Sequence, residues 1–159
     1  DDPRRAAAAF ERMCAEGVEP NVVTYTALIA ACKKTRRWEE AVRVFAAMKH
    51  AGVRPNVTTF TTTIAACAQC GQWRQAEELM EEMKQAGVDP NTTTYNALMS
   101  AHANAGRWRR ARALLDEMRA IGGEASPTVA TYNTLIHACA KMGNFEEAVR
   151  ALAEMRASG

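Results

Sequence analysis

The chain has 159 residues, 48% of them hydrophobic and 24% charged, and its 20 Lys and Arg against 18 Asp and Glu leave a formal charge of +2. No apolar run is long enough to span a membrane and no secretory leader opens the sequence, so the composition predicts a water-soluble intracellular domain whose targeting peptide, if it has one, lies outside this chain. The small net charge does not decide for or against a polyanionic partner, because acids and bases can segregate onto different faces.

Asp2-Pro3 opens the chain as an N-cap followed by proline at the first helical position, which predicts a helix over residues 3–16. From there a single unit repeats. Gly17, Gly52, Gly87 and Gly122 stand 35 residues apart, and Pro20, Pro55, Pro90 and Pro127, Tyr25, Phe60, Tyr95 and Tyr132, and Trp38, Trp73, Trp108 and Phe145 follow the same frame. A period of this length holds two helices of about eleven residues and two short turns. In the first unit Tyr25, Leu28, Ile29 and Cys32 form an apolar stripe at helical spacing over residues 24–34. A second helix is predicted from Trp38 to Lys49, with Gly52 as its left-handed cap and Pro55 barring continuation.

Residues 1–21 thus read as the lone second helix of a partial repeat, followed by repeats at 22–56, 57–91, 92–128 and 129–159. The third carries two extra residues around Gly123 and Glu124, and the fourth stops before its closing turn. One helix pair cannot bury both of its stripes, so successive pairs must stack. The expected fold is all-α, a right-handed helical-repeat solenoid of helix-turn-helix units forming one domain. Its ends read as cuts in a longer array or as weakly capped termini, with homodimeric or end-to-end association as a consequence.

Repetition also weighs against an enzyme. Catalytic groups converge in space, whereas the polar residues here are dealt out one per unit. Cys32, Cys67 and Cys139 share one position, occupied by His102 in the third repeat, and helices packed about 8–10 Å apart cannot bring them to one ion. Cys67 and Cys70 have the spacing of half a metal site but no matching second pair, so buried thiols are expected, with no metal, cofactor or small-molecule substrate. The three tryptophans fall in phase with the apolar stripe and read as core.

All eighteen acids lie outside the predicted first helices. The face of each first helix opposite the apolar stripe carries Val23, Thr26, Ala30 and Lys34, then Thr58, Thr61, Ala65 and Gln69, then Thr93, Asn96, Ser100 and Asn104, then Ala130, Asn133, His137 and Lys141. These groups are small, hydrogen-bonding or basic and never acidic, which suits a polyanion whose subunits are taken one per repeat. The plainer reading is a solvated face, against which the repeated exclusion of acids counts.

Asn21-Val-Val-Thr-Tyr-Thr-Ala-Leu-Ile, Tyr95-Asn-Ala-Leu-Met and Thr131-Tyr-Asn-Thr-Leu-Ile-His-Ala-Cys resemble the first helix of pentatricopeptide repeats. Glu-Glu-Ala followed by Met and Gly-Val-x-Pro-Asn resembles the second helix and closing turn of that family's plain 35-residue type. The resemblance implies sequence-specific single-stranded RNA binding at one base per repeat, without catalysis, in organellar RNA processing, stabilisation, splicing or translation in a mitochondrion or chloroplast. It implies base reading by the fifth and last residues of a unit, which pairs Thr26 with Asn56, Thr61 with Asn91, and Asn96 with Thr128, and leaves Asn133 without a partner in the chain. It further implies base sandwiching by Val23, Thr58, Thr93 and Ala130, phosphate contacts from Lys34 and Lys141, and a target core of 5′-A-A-pyrimidine-pyrimidine-3′. The rival is a protein-binding or self-associating solenoid scaffold that grips a peptide or a like protomer on the same face.

Overall fold

The computed structural model describes residues 19–158, and the helix predicted over residues 3–16 lies outside them. The described residues form α1 (Val22–Lys34), α2 (Trp38–His50), α3 (Val57–Gln69), α4 (Trp73–Gln85), α5 (Thr92–Asn104), α6 (Trp108–Ile121), α7 (Val129–Lys141) and α8 (Phe145–Ala157), with one 3-10 turn at Gly123–Ala125. No helix among them is long and apolar enough to cross a membrane.

The odd-numbered helices begin two residues earlier than the apolar stripe predicts, because a polar residue caps each. Asn21 Oδ1 accepts from the N–H groups of Val23 and Thr24, Asn56 Oδ1 from Thr59, and Asn91 Oδ1 from Thr94. At α7 the same place holds Thr128, which exchanges bonds with Thr131 in a capping box. Each even-numbered helix is entered through a residue of positive φ: Gly71, Gly106 and Gly143 at 70°, 71° and 67°, and Arg36 at 58° in the first unit. An L side chain pays about 1–2 kcal/mol for this conformation, so Arg36 is the locally strained member of the series.

α2 and α4 end in paired bonds of Schellman type. Gly52 and Val53 donate to Lys49 and Met48, and Gly87 and Val88 donate to Lys84 and Met83. The third unit departs here: α6 runs to Ile121, and its two extra residues wind into the 3-10 turn, whose Ala125 is buried. Thr92 Oγ1 lies 2.8 Å from both the Glu124 and the Ser126 carbonyl oxygens and ties the insertion to the start of α5.

The odd-numbered helices stack on one another as an inner layer, and each even-numbered helix packs on the first helix of its own unit and, from α2 to α6, on that of the next. Tyr25, Leu28, Ile29 and Cys32 are buried as the stripe predicts, and Phe60, Ile64, Tyr95, Leu98, Met99, Tyr132 and Leu135 continue the core from unit to unit. Phe45 of α2 meets Phe60 of α3 edge to face at 5.0 Å, so the seam between the first and second units is aromatic.

The tryptophans differ from expectation. Trp38, Trp73 and Trp108 are half-buried and pack against the rim of the core, not within it. They sit at the start of the even-numbered helices, where the next unit covers one face only. Arg107 lies over the Trp73 ring at 3.5 Å from its centroid and Arg74 at 4.9 Å, so cations cover what apolar packing leaves open.

The even-numbered helices keep their backbones apart. Long side chains bridge them instead: Lys49 reaches Glu82 at 2.6 Å, Lys84 reaches Glu117 at 2.8 Å, and Arg112 and Arg119 both reach Glu154, at 2.9 Å and 2.8 Å. Arg112 also lies 3.1 Å from the buried Glu147.

Candidate nucleic-acid interface

None of α1, α3, α5 and α7 contains an aspartate or glutamate, so the predicted acid-free windows coincide with the inner layer. In the first three units the face opposite the apolar stripe shows one gradient. Its first and last members are exposed and its middle two half-buried, while in the fourth Ala130, Asn133, His137 and Lys141 are all exposed. Neighbouring first helices therefore shield the centre of the face and leave a series of shallow depressions along it.

One such depression, of about 490 Å³, is lined by Val22, Val23, Thr26, Ala27, Ala30, Asn56, Thr58 and Thr62. It brings together four residues singled out from the sequence: the pair Thr26 and Asn56, and Val23 and Thr58 from successive units. Val23 is 69% exposed, which leaves its methyls open to a flat ligand. A second depression, of about 340 Å³, is lined by Ser100, Ala103, Asn104, Asn133, Thr134 and His137 and takes in Asn133 of the fourth unit.

Hydrogen bonds define the pairs further. Thr26 Oγ1 lies 2.7 Å from the Val22 carbonyl oxygen and 2.9 Å from Thr59 Oγ1, and Thr59 Oγ1 donates to Asn56 Oδ1 at 3.0 Å. In the second unit Thr61 Oγ1 lies 2.7 Å from Thr94 Oγ1, which donates to Asn91 Oδ1 at 3.0 Å. Thr93, the sandwiching residue assigned to the third unit, is exposed. The third unit is built differently: Thr128 donates its N–H to Thr131 Oγ1 at 3.0 Å, its hydroxyl is exchanged with Thr131 at 3.3 Å, and Asn96 Oδ1 is buried with no hydrogen-bond partner.

Lys34 and Lys141 are exposed at the C-terminal ends of α1 and α7. Lys141 donates to the Asn104 carbonyl oxygen at 2.7 Å, and Asn104 donates to that of Ala68 at 2.9 Å, so this position also staples the last turn of the preceding first helix. An ammonium has three N–H donors, and this bond uses one of Lys141's.

Sequence reasoning missed the buried threonines Thr59 and Thr94, and missed that Asn56 and Asn91 are helix caps as well as groove residues. The signal was present: Asn56 and Thr59, like Asn91 and Thr94, stand at the N-cap and N3 spacing.

Sequence models of one family match in succession along almost the whole described chain: the PPR repeat family over residues 20–69, the pentatricopeptide repeat domain over 50–105, and the PPR repeat over 93–123 and again over 124–156. The chain belongs to the pentatricopeptide repeat family. No curated protein sequence matches it significantly. Among solved structures it is similar to the pentatricopeptide repeat protein PPR10 from maize, at 35% identity and a TM-score of 0.81 over 99% of this chain and 22% of that one. PPR10 in complex with an 18-nt psaJ RNA element superposes with a TM-score of 0.84 at 29% identity, over 99% of this chain and 23% of that one. The PPR domain of Arabidopsis thaliana PRORP1, in complex with tRNA, shares the fold at a TM-score of 0.78 and 18% identity, over 97% and 80% of the two chains. The chain spans less than a quarter of the length of PPR10.

Within this pentatricopeptide repeat fold the buried titratable groups are spread along the core from unit to unit. Among the described residues no three His, Cys, Asp or Glu side chains cluster as metal ligands would. Burial, with a smaller contribution from the thiol of Cys70, pushes the Cys67 thiol up to about 12, far from a nucleophile's range. Cys70 is half-buried and donates to the Arg36 carbonyl oxygen at 3.3 Å. His102 replaces the repeated cysteine with a larger, fully buried ring whose Nε2 lies 3.3 Å from Glu77 Oε1, without an aligned hydrogen bond at either nitrogen. Burial lowers its pKa to about 4. The carboxylate of Glu77 opposes that shift, and the cations of Arg107 and Arg110 add to it.

Proposed function

We propose that this chain is a single-stranded RNA-binding module that takes successive bases into the depressions between its first helices and has no catalytic activity of its own. The observation that carries the reading is the depression in which Val23, Thr26, Asn56 and Thr58 converge. Apolar methyls there can cover a base face while a hydroxyl and a carboxamide meet its edge, on a layer free of acids that would repel phosphates. The RNA complexes of PPR10 and of the PRORP1 repeat domain support the same class of ligand.

With Thr26 and Asn56 on the first base, Thr61 and Asn91 on the second, Asn96 and Thr128 on the third and Asn133 on the fourth, the proposed core is 5′-A-A-pyrimidine-pyrimidine-3′. Lys34 and Lys141 would hold phosphates at the edge of the groove. Four units read about four bases, so tight binding calls for further repeats or a dimer acting through effective concentration. The proposed setting is RNA processing, stabilisation, splicing or translation in a mitochondrion or chloroplast.

Selection from a randomised single-stranded RNA pool tests this. Enrichment of an A-A-pyrimidine core is the expected result. No enrichment, together with recovery of a protein partner on the same face, would overturn it in favour of a protein-binding or self-associating scaffold.

A further inference from the structure

We infer that Thr59 and Thr94, each belonging to the unit that follows, are positioning residues that fix which groups the pairs Thr26 with Asn56 and Thr61 with Asn91 present to a base; this rests on the RNA reading proposed above. Both threonines are fully buried and out of reach of any ligand in the groove, yet each lies within hydrogen-bond distance of both members of a pair.

Counting protons shows what they do. Asn91 Oδ1 can only accept, and it takes the Thr94 N–H and the Thr94 hydroxyl proton. Thr94 has then spent its single proton, so the 2.7 Å contact with Thr61 requires Thr61 to donate inward. The Thr61 oxygen is left with a lone pair for the groove. The Asn91 carboxamide, its oxygen held in the helix cap, is left with its N–H2. In the first unit Thr59 spends its proton on Asn56 in the same way, and the Thr26 proton has two inward acceptors, Thr59 Oγ1 and the Val22 carbonyl. Thr26 too shows the groove an acceptor beside an amide donor.

An acceptor beside a donor complements an amino group beside a ring nitrogen, the edge that adenine and cytosine display. With the threonine oxygen set against the exocyclic group and the amide against the ring nitrogen, guanine and uracil, which display a carbonyl beside an N–H, are mismatched at both atoms. The relay thus selects amino bases over keto bases, and the volume of the depression is left to separate purine from pyrimidine. In the third unit Thr131 accepts the Thr128 N–H and Asn96 Oδ1 has no partner, so the relay is absent there.

The test is competition binding of the full chain to short RNAs of core A-X-C-U, with X varied, and a parallel series varied at the first base. Wild type should favour A or C over G or U at X by about tenfold or more. Thr94→Val, which keeps the shape and removes the hydroxyl, should bring the four bases to within about twofold at X while leaving the first base discriminated. Thr94→Ser should restore the preference, and Thr59→Val should move the loss to the first base. A folded Thr94→Val that discriminates like wild type overturns the positioning role. A wild-type chain that binds RNA but discriminates at neither slot overturns the base-reading proposal itself, and with it this inference. Independently of any variant, the relay predicts a slowly exchanging Thr94 hydroxyl proton by NMR in the wild-type chain, and exchange at the rate of a surface threonine would contradict it.

Discussion

The inner and outer layers of this solenoid are held by different physics. Between α1, α3, α5 and α7 the contacts are apolar side chains of zero or near-zero exposure and short hydroxyl bonds such as Thr61 to Thr94. Between α2, α4 and α6 the backbones stand apart, and Lys49 with Glu82 and Lys84 with Glu117 span the gap from partly exposed positions. The lesson is one of placement. These two pairs sit where water screens them, whereas Arg112 with Glu147 and Glu154 at the last outer helix is largely shielded, and in neither case is an acid needed on the inner face.

The largest effect should come from cutting the inner layer. Ile64→Ala opens a cavity at a fully buried site of α3 and should cost about 2–5 kcal/mol in denaturant unfolding, by an amount that does not change with salt. A strongly salt-dependent loss would show that charge, not packing, holds this layer.

His102 tests the seam between the layers. Its pKa in the fold lies below the ordinary histidine value, so the unfolded chain binds the extra proton more readily. The stability is therefore complete above about pH 6.5 and is lost as pH falls towards about 4, a change on the order of 3 kcal/mol. His102→Cys, which installs the residue of the other units, should remove this acid-sensitive step from pH-dependent thermal melts. An unchanged profile would assign the step to carboxylates.

Asn91→Asp separates stability from recognition within the inner layer. A carboxylate caps α5 as well as the carboxamide does and favours the helix N-terminus, so the melting temperature should not fall. The groove, however, would exchange a donor for an acceptor, and the second base should shift from adenine towards guanine by about 1–3 kcal/mol in competition binding. A shift at another base would disprove the register.

The smallest effect belongs outside. Lys49→Ala removes an ion pair whose side chains are 41% and 38% exposed, and should cost less than about 1 kcal/mol, falling further at high salt. A larger loss would mean that the outer layer is more than a solvated sheath.

The sequence by itself determined the period, the helix pairs and the acid-free face, since each of these is written in residues spaced by three, four or 35. Tyr25, Leu28, Ile29 and Cys32 declare their stripe without reference to any other unit. Whatever depended on how one unit seats against the next was left to the tertiary structure. Trp73 shares its phase with core residues, but only the seating of the third unit decides that one face meets Arg107. The relay joining Thr26, Thr59 and Asn56 was likewise hidden: Asn56 is three residues from Thr59, but Thr26 is 33 residues away, and hydroxyls meet at 2.9 Å only for one rotation between stacked helices. Local spacing sets the elements, whereas hydrogen-bond polarity across units is set by that rotation, which no periodicity encodes.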